Sequence, residues 1–261
     1  MMLTRANGEP YRILLANDDG INAPGLEVLE AIAAELSDDV WVVAPESEQS
    51  GAGRSISLSH PLRMRELGPR RFAVEGTPAD SVLMGVRHIM PDVPDLILSG
   101  VNRGQNIADD VTYSGTIAAA MEGTALGIRS MALSQTYGIA GRNVPWDTGR
   151  SLGAQVVKDL MRTRAEPGVL LNINFPDCDA GDVKGVQYTR QGQRDQNLLM
   201  LDQRTDARGR DYFWIGFKRQ QSNPHAGTDL HAVYNGFVSV TPLHTNLTQV
   251  DLLAELQKGT A

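Results

Sequence analysis

The sequence predicts an α/β fold built around a doubly wound, mostly parallel sheet. Short apolar runs of strand length alternate with longer stretches in which apolar residues recur every three or four positions, the spacing of one helix face. Alternating strands and helices form parallel βαβ units, with helices on both faces of one sheet. The chain has 261 residues, 41% of them hydrophobic, which is enough to bury a substantial core.

The first βαβ unit is predicted from three consecutive signals. Residues 12–17 (RILLAN) form an apolar run that indicates a buried strand. After Pro24-Gly25, apolar residues recur with helical spacing as far as Leu36, and residues 40–44 (VWVVA) indicate a second buried strand. A strand, a helix and a strand within about thirty residues favour a parallel pair.

The rest of the core is predicted from the same signals. Two runs, 56–65 and 71–75, are expected to form an antiparallel excursion around the turn at Gly68-Pro69. The elements that follow are expected to be a helix over 79–90, a strand over 95–99, a helix over 114–127, a strand over 130–134, a helix near 148–162 and a strand over 169–174.

The character of the chain changes after Pro176. Residues 188–210 are polar with little periodicity, which is typical of a mobile loop or of an arm that reaches a partner subunit. Residues 212–218 and 232–241 are rich in aromatic and β-branched side chains and are expected to be strands. Residues 247–256 are expected to form a short amphipathic helix.

The chain is expected to be a single domain over 1–261. It contains no internal repeat and no low-complexity segment. The predicted elements divide it into a core over 11–180 and a C-terminal extension over 181–261, which is expected to serve oligomerisation.

Composition excludes several functional classes. The formal net charge of -7 argues against a broad basic face for nucleic acid polymers, although a small phosphorylated ligand meets only a local field. Cys178 is the one cysteine, so no internal disulfide forms. No apolar stretch approaches the roughly 20 residues of a membrane span, and the N-terminus lacks the apolar segment of a secretory signal. A cytoplasmic protein without a membrane partner is therefore expected.

Polar residues follow three of the predicted strands at the points where they end. Asp18 and Asp19 follow the first strand, residues 47–57 (SEQSGAGRSIS) follow the second, and residues 100–106 (GVNRGQN) follow the strand at 95–99. Ligands of open α/β sheets bind beyond the carboxyl ends of the strands, so these loops are expected to meet. The set is rich in oxygen and contains no His or Cys, which suits a hard divalent cation. Such a cation would offset the repulsion between the adjacent carboxylates.

Each motif also has a purely structural interpretation. Asn-Asp-Asp-Gly is good turn chemistry, and one aspartate could cap the next helix. The run 50–55 (SGAGRS) could cradle an anion or be a flexible loop, and it is neither a P-loop nor a dinucleotide fingerprint. Ser114 is a natural N-cap at a helix start that could also bind phosphate, and Thr77 is a candidate cap with no chemistry assigned to it. Arg103 could meet a phosphate or be a solvated surface residue.

Taken together, seven motifs resemble those of the SurE family, the stationary-phase survival proteins that act as metal-dependent nucleotidases. They occur in the family's order through nearly the whole chain: ILLANDDGINAPG, VVAPESEQSGAGRSIS, GTPAD, DLILSGVNRGQN, YSGTIAAAMEG, LLNINFP and NGFVSVTPL. The match is weakest over 177–210.

The resemblance implies a Rossmann-like core and a phosphatase that acts on nucleoside 5'- and 3'-monophosphates, with exopolyphosphatase activity in some members. It also implies one divalent cation per subunit (Mg²⁺, Mn²⁺ or Co²⁺) and a homodimer or homotetramer that exchanges a C-terminal segment. The family's metal ligands fall on Asp18, Asp19, Ser50 and Asn102, while Asn17, Gly51 and Ser114 fall where the family contacts or lies near phosphate.

The mechanism expected from these residues is metal-assisted hydrolysis. The helix start Ser114-Gly115-Thr116 would orient the phosphate, and Arg103 would supply a cation for it. Asp18 and Asp19 are the catalytic candidates, and Asp18 is preferred as the acceptor of the water's proton. Two alternatives stay open, a metal- and nucleotide-binding protein without turnover and a nucleotide-sugar transferase.

Overall fold

The computed structural model of the chain describes residues 2–138, 143–164, 166–194, 199–217 and 223–258. The strands are β1 (Arg12–Ala16), β2 (Asp39–Pro45), β3 (Met64–Gly68), β4 (Arg71–Val74), β5 (Leu96–Arg103), β6 (Arg129–Gln135), β7 (Val169–Phe175), β8 (Val186–Tyr188), β9 (Leu199–Thr205), β10 (Asp211–Phe217) and β11 (Val238–His244). The helices are α1 (Pro24–Ala34), α2 (Pro78–Met84), α3 (Gly115–Ala125), α4 (Trp146–Met161), α5 (Asp229–Tyr234) and α6 (Val250–Lys258). A π-helical turn, Gly85–Ile89, continues α2, and 3-10 turns lie at Ala108–Thr112 and Ala180–Asp182.

Nine of the strands form one sheet in the order β3-β4-β2-β1-β5-β6-β7-β11-β8. The six strands from β4 to β7 run parallel, β3 and β11 run antiparallel to their neighbours β4 and β7, and β8 is parallel to β11. Strands β9 and β10 form a separate antiparallel hairpin. This topology confirms the predicted α/β fold with a mostly parallel sheet and a strand-rich C-terminal region.

The two faces of the sheet pack against different helices. Ile13 and Leu15 of β1 join a core with Leu29 and Ile32 of α1 and with α4, whereas the alternate residue Leu14 faces a second core under α2 and α3. Side chains alternate across a strand, so a strand that is apolar at every position requires cover on both faces.

Strands β1 and β5 are neighbours at the point where the order of the sheet reverses. From β1 the chain proceeds to β2 on one side, and from β5 it proceeds to β6 on the other. A crevice forms beyond the carboxyl ends of two strands at such a switch point, because their connections leave in opposite directions. The residues after β1 and β5 therefore occupy the place where α/β sheets bind ligands.

Two predictions in the first half need correction. Strand β3 begins only at Met64, so most of the run 56–65 lies outside it. Strand β4 also pairs in parallel with β2, so this excursion belongs to the main sheet. The hairpin itself, with its turn at Gly68-Pro69, was predicted correctly.

The prediction of a strand over 232–241 is wrong in its first half. Residues Asp229–Tyr234 form α5, because the hydroxyl of Thr228 caps this helix by accepting the N–H of His231. Gly236, with a φ of +82°, then reverses the chain into β11. Local β propensity did not detect the capped helix turn.

The prediction of an irregular segment over 188–210 is also wrong in part. Residues Leu199–Thr205 form β9, which pairs along its length with β10. The apolar residues of β9 are consecutive and are followed by four polar residues, so the strand shows no alternation of apolar and polar positions. Residues 195–198 of this segment, and Lys218 at the end of the run 212–218, lie outside the described residues.

The predicted C-terminal helix is present as α6, which begins three residues later than expected. In the described part of the chain, no helix has both the length and the apolar character needed to cross a membrane. The division into a core and an extension stays a prediction, and β8 and β11 from the extension complete the main sheet.

Candidate active site

A cavity of about 1290 Å³ opens at the carboxyl ends of the parallel strands. The loops after β1, β2, β5, β6 and β7 contribute to its wall. The predicted site residues among those that line it are Asp18, Asp19, Ser50, Gly51, Asn102, Arg103 and Ser114.

The chain turns sharply after β1 and brings two carboxylates to this cavity. Nδ2 of Asn17 donates to the carbonyl oxygen of Gly20 at 2.8 Å, and Gly20 has a φ of +99°, which glycine adopts at little cost. Helix α1 has no side-chain cap, and its N-cap residue is Ala23. Neither Asp18 nor Asp19 caps the helix, so the capping explanation of these carboxylates is wrong.

Backbone hydrogen bonds join the loops around the cavity to one another. The N–H of Gln49 donates to the carbonyl oxygen of Asp18 at 2.8 Å, which ties the loop after β2 to the turn after β1. The N–H of Gly53 donates to the carbonyl oxygen of Tyr113 at 3.2 Å, just before α3. The three segments are thus held in one arrangement.

The far end of the loop after β2 is anchored by the buried carboxylate of Asp80. This carboxylate accepts the N–H of Ser57 at 3.0 Å and the hydroxyl of Ser57 at 2.7 Å. It also accepts the N–H of Thr77, whose own side chain caps α2 as the sequence predicted. Burial disfavours the charge, yet these donors hold the pKa of Asp80 below its usual range.

Asp18 is buried, with only 4% of its surface exposed. Its Oδ1 accepts the hydroxyl of Thr116 at 2.5 Å. A Cβ on Gly115 would lie 2.6 Å from the Cβ of Asp18, so only glycine at the first position of α3 admits this close approach. Burial, together with the charge of Asp19, raises the pKa of Asp18 to about 6, although the Thr116 hydrogen bond acts in the opposite direction.

Asp19 is more accessible and lies between charges of both signs. Burial raises its pKa, and the negative charge of Glu48 adds to the rise. The N–H of Arg103, which donates to Oδ2 of Asp19 at 3.1 Å, and the positive charge of Arg103 act against it. Burial is the main cause of both shifts and the neighbouring carboxylates add to it, so a bound cation would stabilise the charged form of each aspartate.

The donor atoms around the two aspartates fit a hard cation. In the described part of the chain, no three His, Cys, Asp or Glu side chains cluster closely enough to hold a metal, so neutral oxygen donors must complete a site here. The Nδ2 of Asn102 donates to the carbonyl oxygen of Gly104 at 2.9 Å, which leaves the amide oxygen of Asn102 for a cation. The hydroxyl of Ser50 lines the same cavity and donates to Glu48 at 2.9 Å. Carboxylate, amide and hydroxyl oxygens suit Mg²⁺ and Mn²⁺.

Comparison with known proteins identifies the family of the chain. The family model described as "Survival protein SurE" matches residues 13–198, which run from β1 past β8 and include every predicted site residue. The chain belongs to the SurE family. This membership confirms the resemblance that the seven sequence motifs indicated.

Curated relatives of the SurE family match almost the whole chain. A protein named 5'-nucleotidase SurE from Hyphomonas neptunium is 54% identical over 249 residues, covering 95% of this chain and 98% of the relative. Another of that name, from Methylobacterium radiotolerans, is 58% identical over 252 residues and covers 96% and 99%. The crystal structure of SurE protein from Aquifex aeolicus matches with a TM-score of 0.81 at 37% identity, covering 96% of this chain and 100% of that one.

The remaining phosphate-contact predictions fall into two groups. Ser114 lines the cavity, and its Oγ accepts the N–H of Ile117 at 3.1 Å, which confirms the N-cap interpretation, while its contact with phosphate stays a prediction. Asn17, Gly115 and Thr116 are buried and do not line the cavity. The hydroxyl of Thr116 donates its hydrogen bond to Asp18. In this SurE chain, the first residues of α3 therefore position the side chain of Asp18.

Sequence reasoning missed several residues of the cavity wall. Thr136 and Tyr137 follow β6, and Asp177 follows β7, so the strand-end rule would have found them if it had been applied to these two strands. Arg194 and Tyr234 come from the C-terminal region, and no sequence signal pointed to them.

A buried aspartate links the C-terminal region of this SurE chain to the loop after β5. The carboxylate of Asp229 accepts the N–H groups of Ala108 and Gly192, each at 2.9 Å, and that of Leu230 at 2.8 Å. Burial raises its pKa, although the backbone donors act against the rise. The segment between β5 and α3 is thereby fixed to α5.

Proposed function

We propose that the chain is a divalent-cation-dependent nucleotidase that hydrolyses nucleoside 5'-monophosphates, and also 3'-monophosphates, to nucleoside and phosphate. The observation that carries the proposal is the convergence of Asp18, Asp19, Ser50 and Asn102 on one crevice at the switch point of the sheet. Curated relatives at 54% and 58% identity bear the name 5'-nucleotidase SurE, which supports the same reaction.

The four converging residues would hold one cation per subunit through oxygen atoms. When bound, a cation such as Mg²⁺, Mn²⁺ or Co²⁺ supplies Lewis-acid chemistry, since it polarises a phosphate oxygen and lowers the pKa of water. The adjacent carboxylates of Asp18 and Asp19 provide the negative charge, and Ser50 and Asn102 provide neutral donors. Asp18 and Asp19 follow β1 and Asn102 lies near the carboxyl end of β5, so the paired strands fix the carboxylates relative to the Asn102 amide.

The phosphate would lie between the loop after β2 and the start of α3. Gly51, with a φ of +79°, and the hydroxyl of Ser114 both line the crevice. The eleven-residue helix α3 begins at this side of the crevice, and the positive end of its dipole would favour an anion there. Gly115 and Thr116 contribute by positioning this terminus against Asp18.

The proton of the attacking water would pass to Asp18. Its side chain is oriented by the Thr116 hydroxyl at Oδ1, so the carboxylate holds one position without rotating. Asp19 shares the negative charge and would accept no proton in this scheme. Exclusion of bulk water from a largely buried carboxylate would strengthen its attraction to a bound cation.

The extension would also bring subunits together. Apolar side chains of the hairpin β9–β10 are exposed in the single chain, among them Leu201 at 68%, Trp214 at 59% and Ile215 at 72%. Leu201 and Ile215 are cross-strand partners on one face of the hairpin, and exposed apolar surface of this kind marks interaction sites. We infer a homodimer or homotetramer in which the β9–β10 hairpin reaches the partner subunit, in a cytoplasmic enzyme. The expected exchange of the whole region after residue 180 is not retained, because β8 and β11 complete the chain's own sheet.

A panel of phosphate-release assays tests the proposal. Wild-type protein is incubated with nucleoside monophosphates, other phosphomonoesters, polyphosphate and a nucleotide sugar, each with Mg²⁺, Mn²⁺ or Co²⁺. Metal-dependent release of phosphate from nucleoside monophosphates would support the nucleotidase function. A thermal shift with nucleotide but no phosphate would indicate a binding protein, and nucleoside diphosphate from the nucleotide sugar would indicate a transferase. Phosphate from polyphosphate would add the exopolyphosphatase activity.

A further inference from the structure

Arg103 stands between the carboxylate pair and an aromatic ring. Its backbone N–H donates to Oδ2 of Asp19, which fixes its main chain at the metal side of the cavity. The guanidinium carbon of its side chain lies 5.6 Å from the centroid of the Tyr137 ring, over the ring face. This distance is within the range of a cation–π contact.

The topology places Tyr137 on the side of Arg103 away from Asp18. At the carboxyl ends of the strands, the spatial order is β2, β1, β5 and β6. This order places Ser50, the two aspartates, Arg103 and Tyr137 one after another along the cavity. Neighbouring strands are about 4.8 Å apart, so Tyr137 after β6 lies about two strand spacings from the end of β1. In a nucleotide the base is separated from the phosphate by one ribose, a distance of the same order.

The pair of side chains offers flat faces, and the Arg103 guanidinium offers hydrogen-bond donors. Among the described residues the Arg103 guanidinium has no ion pair or hydrogen bond, and the side chain is exposed in the cavity wall. Guanidinium planes and aromatic rings are the groups on which proteins stack unpaired bases. The N–H edge of a guanidinium additionally pairs with ring-nitrogen and carbonyl acceptors of a base.

We propose that Arg103 and Tyr137 form the base-binding face of the cavity, on which the nucleobase of a nucleoside monophosphate stacks while its phosphate lies at Asp18 and Asp19. The proposal rests on the nucleotidase function proposed above and deepens it by naming residues that select nucleotides over simpler phosphomonoesters. It assigns Arg103 to the base, where the sequence suggested the phosphate.

Substrates with and without a base test the assignment. Tyr137→Ala and Arg103→Ala are each expected to raise KM for AMP and GMP by about 5- to 100-fold, the range for loss of one base–aromatic stack. Turnover of ribose 5-phosphate by Tyr137→Ala is expected to stay within about twofold of the wild type, which also verifies folding. Tyr137→Phe retains the ring face and is expected to recover most of the nucleotide KM.

Two results would contradict the assignment of Arg103 and Tyr137 to the base. An equal rise in KM for AMP and ribose 5-phosphate in Arg103→Ala would place the guanidinium on the phosphate and overturn the assignment. No change in either KM would also overturn it.

Calorimetric binding of AMP and ribose 5-phosphate separates this proposal from the nucleotidase itself. If the wild type releases no phosphate from any nucleotide, the nucleotidase fails. A preference for AMP over ribose 5-phosphate in binding that Tyr137→Ala removes would still support the stacking face, whereas equal binding of both by the wild type would refute it.

Discussion

The hydroxyl of Thr116 donates to Oδ1 of Asp18 across 2.5 Å, linking the first turn of α3 to the end of β1. Thr116 is fully buried and Asp18 nearly so, so no water is available to replace this bond. A threonine on the helix therefore sets the orientation of the carboxylate that we assign to the metal and to the proton.

Thr116→Val is expected to weaken metal binding without unfolding the protein. Valine keeps the shape of the side chain but removes the donor that favours the charged form of Asp18, so the pKa of Asp18 rises further. A hydrogen bond to a charged group contributes about 1.5–3 kcal/mol, so the Mn²⁺ dissociation constant should rise roughly 10- to 100-fold. Calorimetric titration at several pH values measures this dissociation constant. Thr116→Ser keeps a hydroxyl, and if it bound Mn²⁺ as weakly as the valine variant, the hydrogen bond would not be the cause.

Asp18→Asn is expected to stabilise the metal-free protein at alkaline pH. The pKa of Asp18, raised to about 6 by burial, exceeds the ordinary value of about 3.9 that it regains on unfolding. The folded state therefore binds more protons between these values, and its free energy of unfolding falls as pH rises through about 6. The difference at pH 8 is up to about 3 kcal/mol.

Thermal denaturation in EDTA at pH 4 and pH 8 checks this stability difference. The variant should melt above the wild type at pH 8, and the two should converge at pH 4. A variant that melted below the wild type at pH 8 would contradict the raised pKa.

The same substitution is expected to abolish catalysis. Asp18→Asn removes one charge from the metal pair and the proposed proton acceptor, so AMP hydrolysis in Mn²⁺ should fall at least about 100-fold. Phosphate release is the measurement, and circular dichroism verifies the fold. EDTA should silence the wild type, with activity restored by excess Mg²⁺, Mn²⁺ or Co²⁺. Full activity in the chelator, or in the variant, would exclude this mechanism.

Gly115→Ala is expected to displace Asp18 and lower metal affinity, although alanine is the better helix former. The new methyl group would lie 2.6 Å from the Cβ of Asp18. Gly123→Ala is the matched control, because it adds the same methyl to the same helix, 2.5 Å from Ile97 and away from the cavity. The control should lower the melting temperature and leave the Mn²⁺ affinity of the folded protein unchanged. Equal loss of affinity in both variants would mean that α3 shifts as a whole.

Charged residues on the β9–β10 hairpin are expected to dissociate the oligomer. Trp214→Arg combined with Ile215→Glu replaces side chains that are 59% and 72% exposed in the single chain. Burying unpaired charges in the interface would cost more free energy than the apolar contacts contribute to association. Sedimentation equilibrium should find a monomer where the wild type is a dimer or tetramer. An unchanged mass would show that the hairpin does not form the interface between subunits.

Most of the core could be predicted because its signals are local and repeated. Apolar runs gave β1, β2, β5, β6 and β7, and helical spacing gave α1 to α4, since each element buries a pattern of its own. The rule that ligands bind beyond the carboxyl ends of the strands predicts that Asp18, Ser50 and Asn102 meet in one cavity. What it required was only the order of the elements.

The rest depended on contacts between distant segments. The role of Thr116 beneath Asp18 arises from the packing of α3 on β1, and a helix start gives no sign of it in sequence. The hairpin strand β9 is specified by its pairing with β10, not by its composition. Helix α5 depends on the Thr228 cap, which a β-rich composition concealed.

The position of β11 determines the order in which the sheet is completed. It lies between β7 and β8, although it is synthesised after both. A nascent chain therefore leaves β7 as an open edge and β8 without a partner until the last strand has left the ribosome and entered between them. A stop codon shortly before Val238 would remove two strands from the sheet, not one, and would expose the backbone of β7 to aggregation.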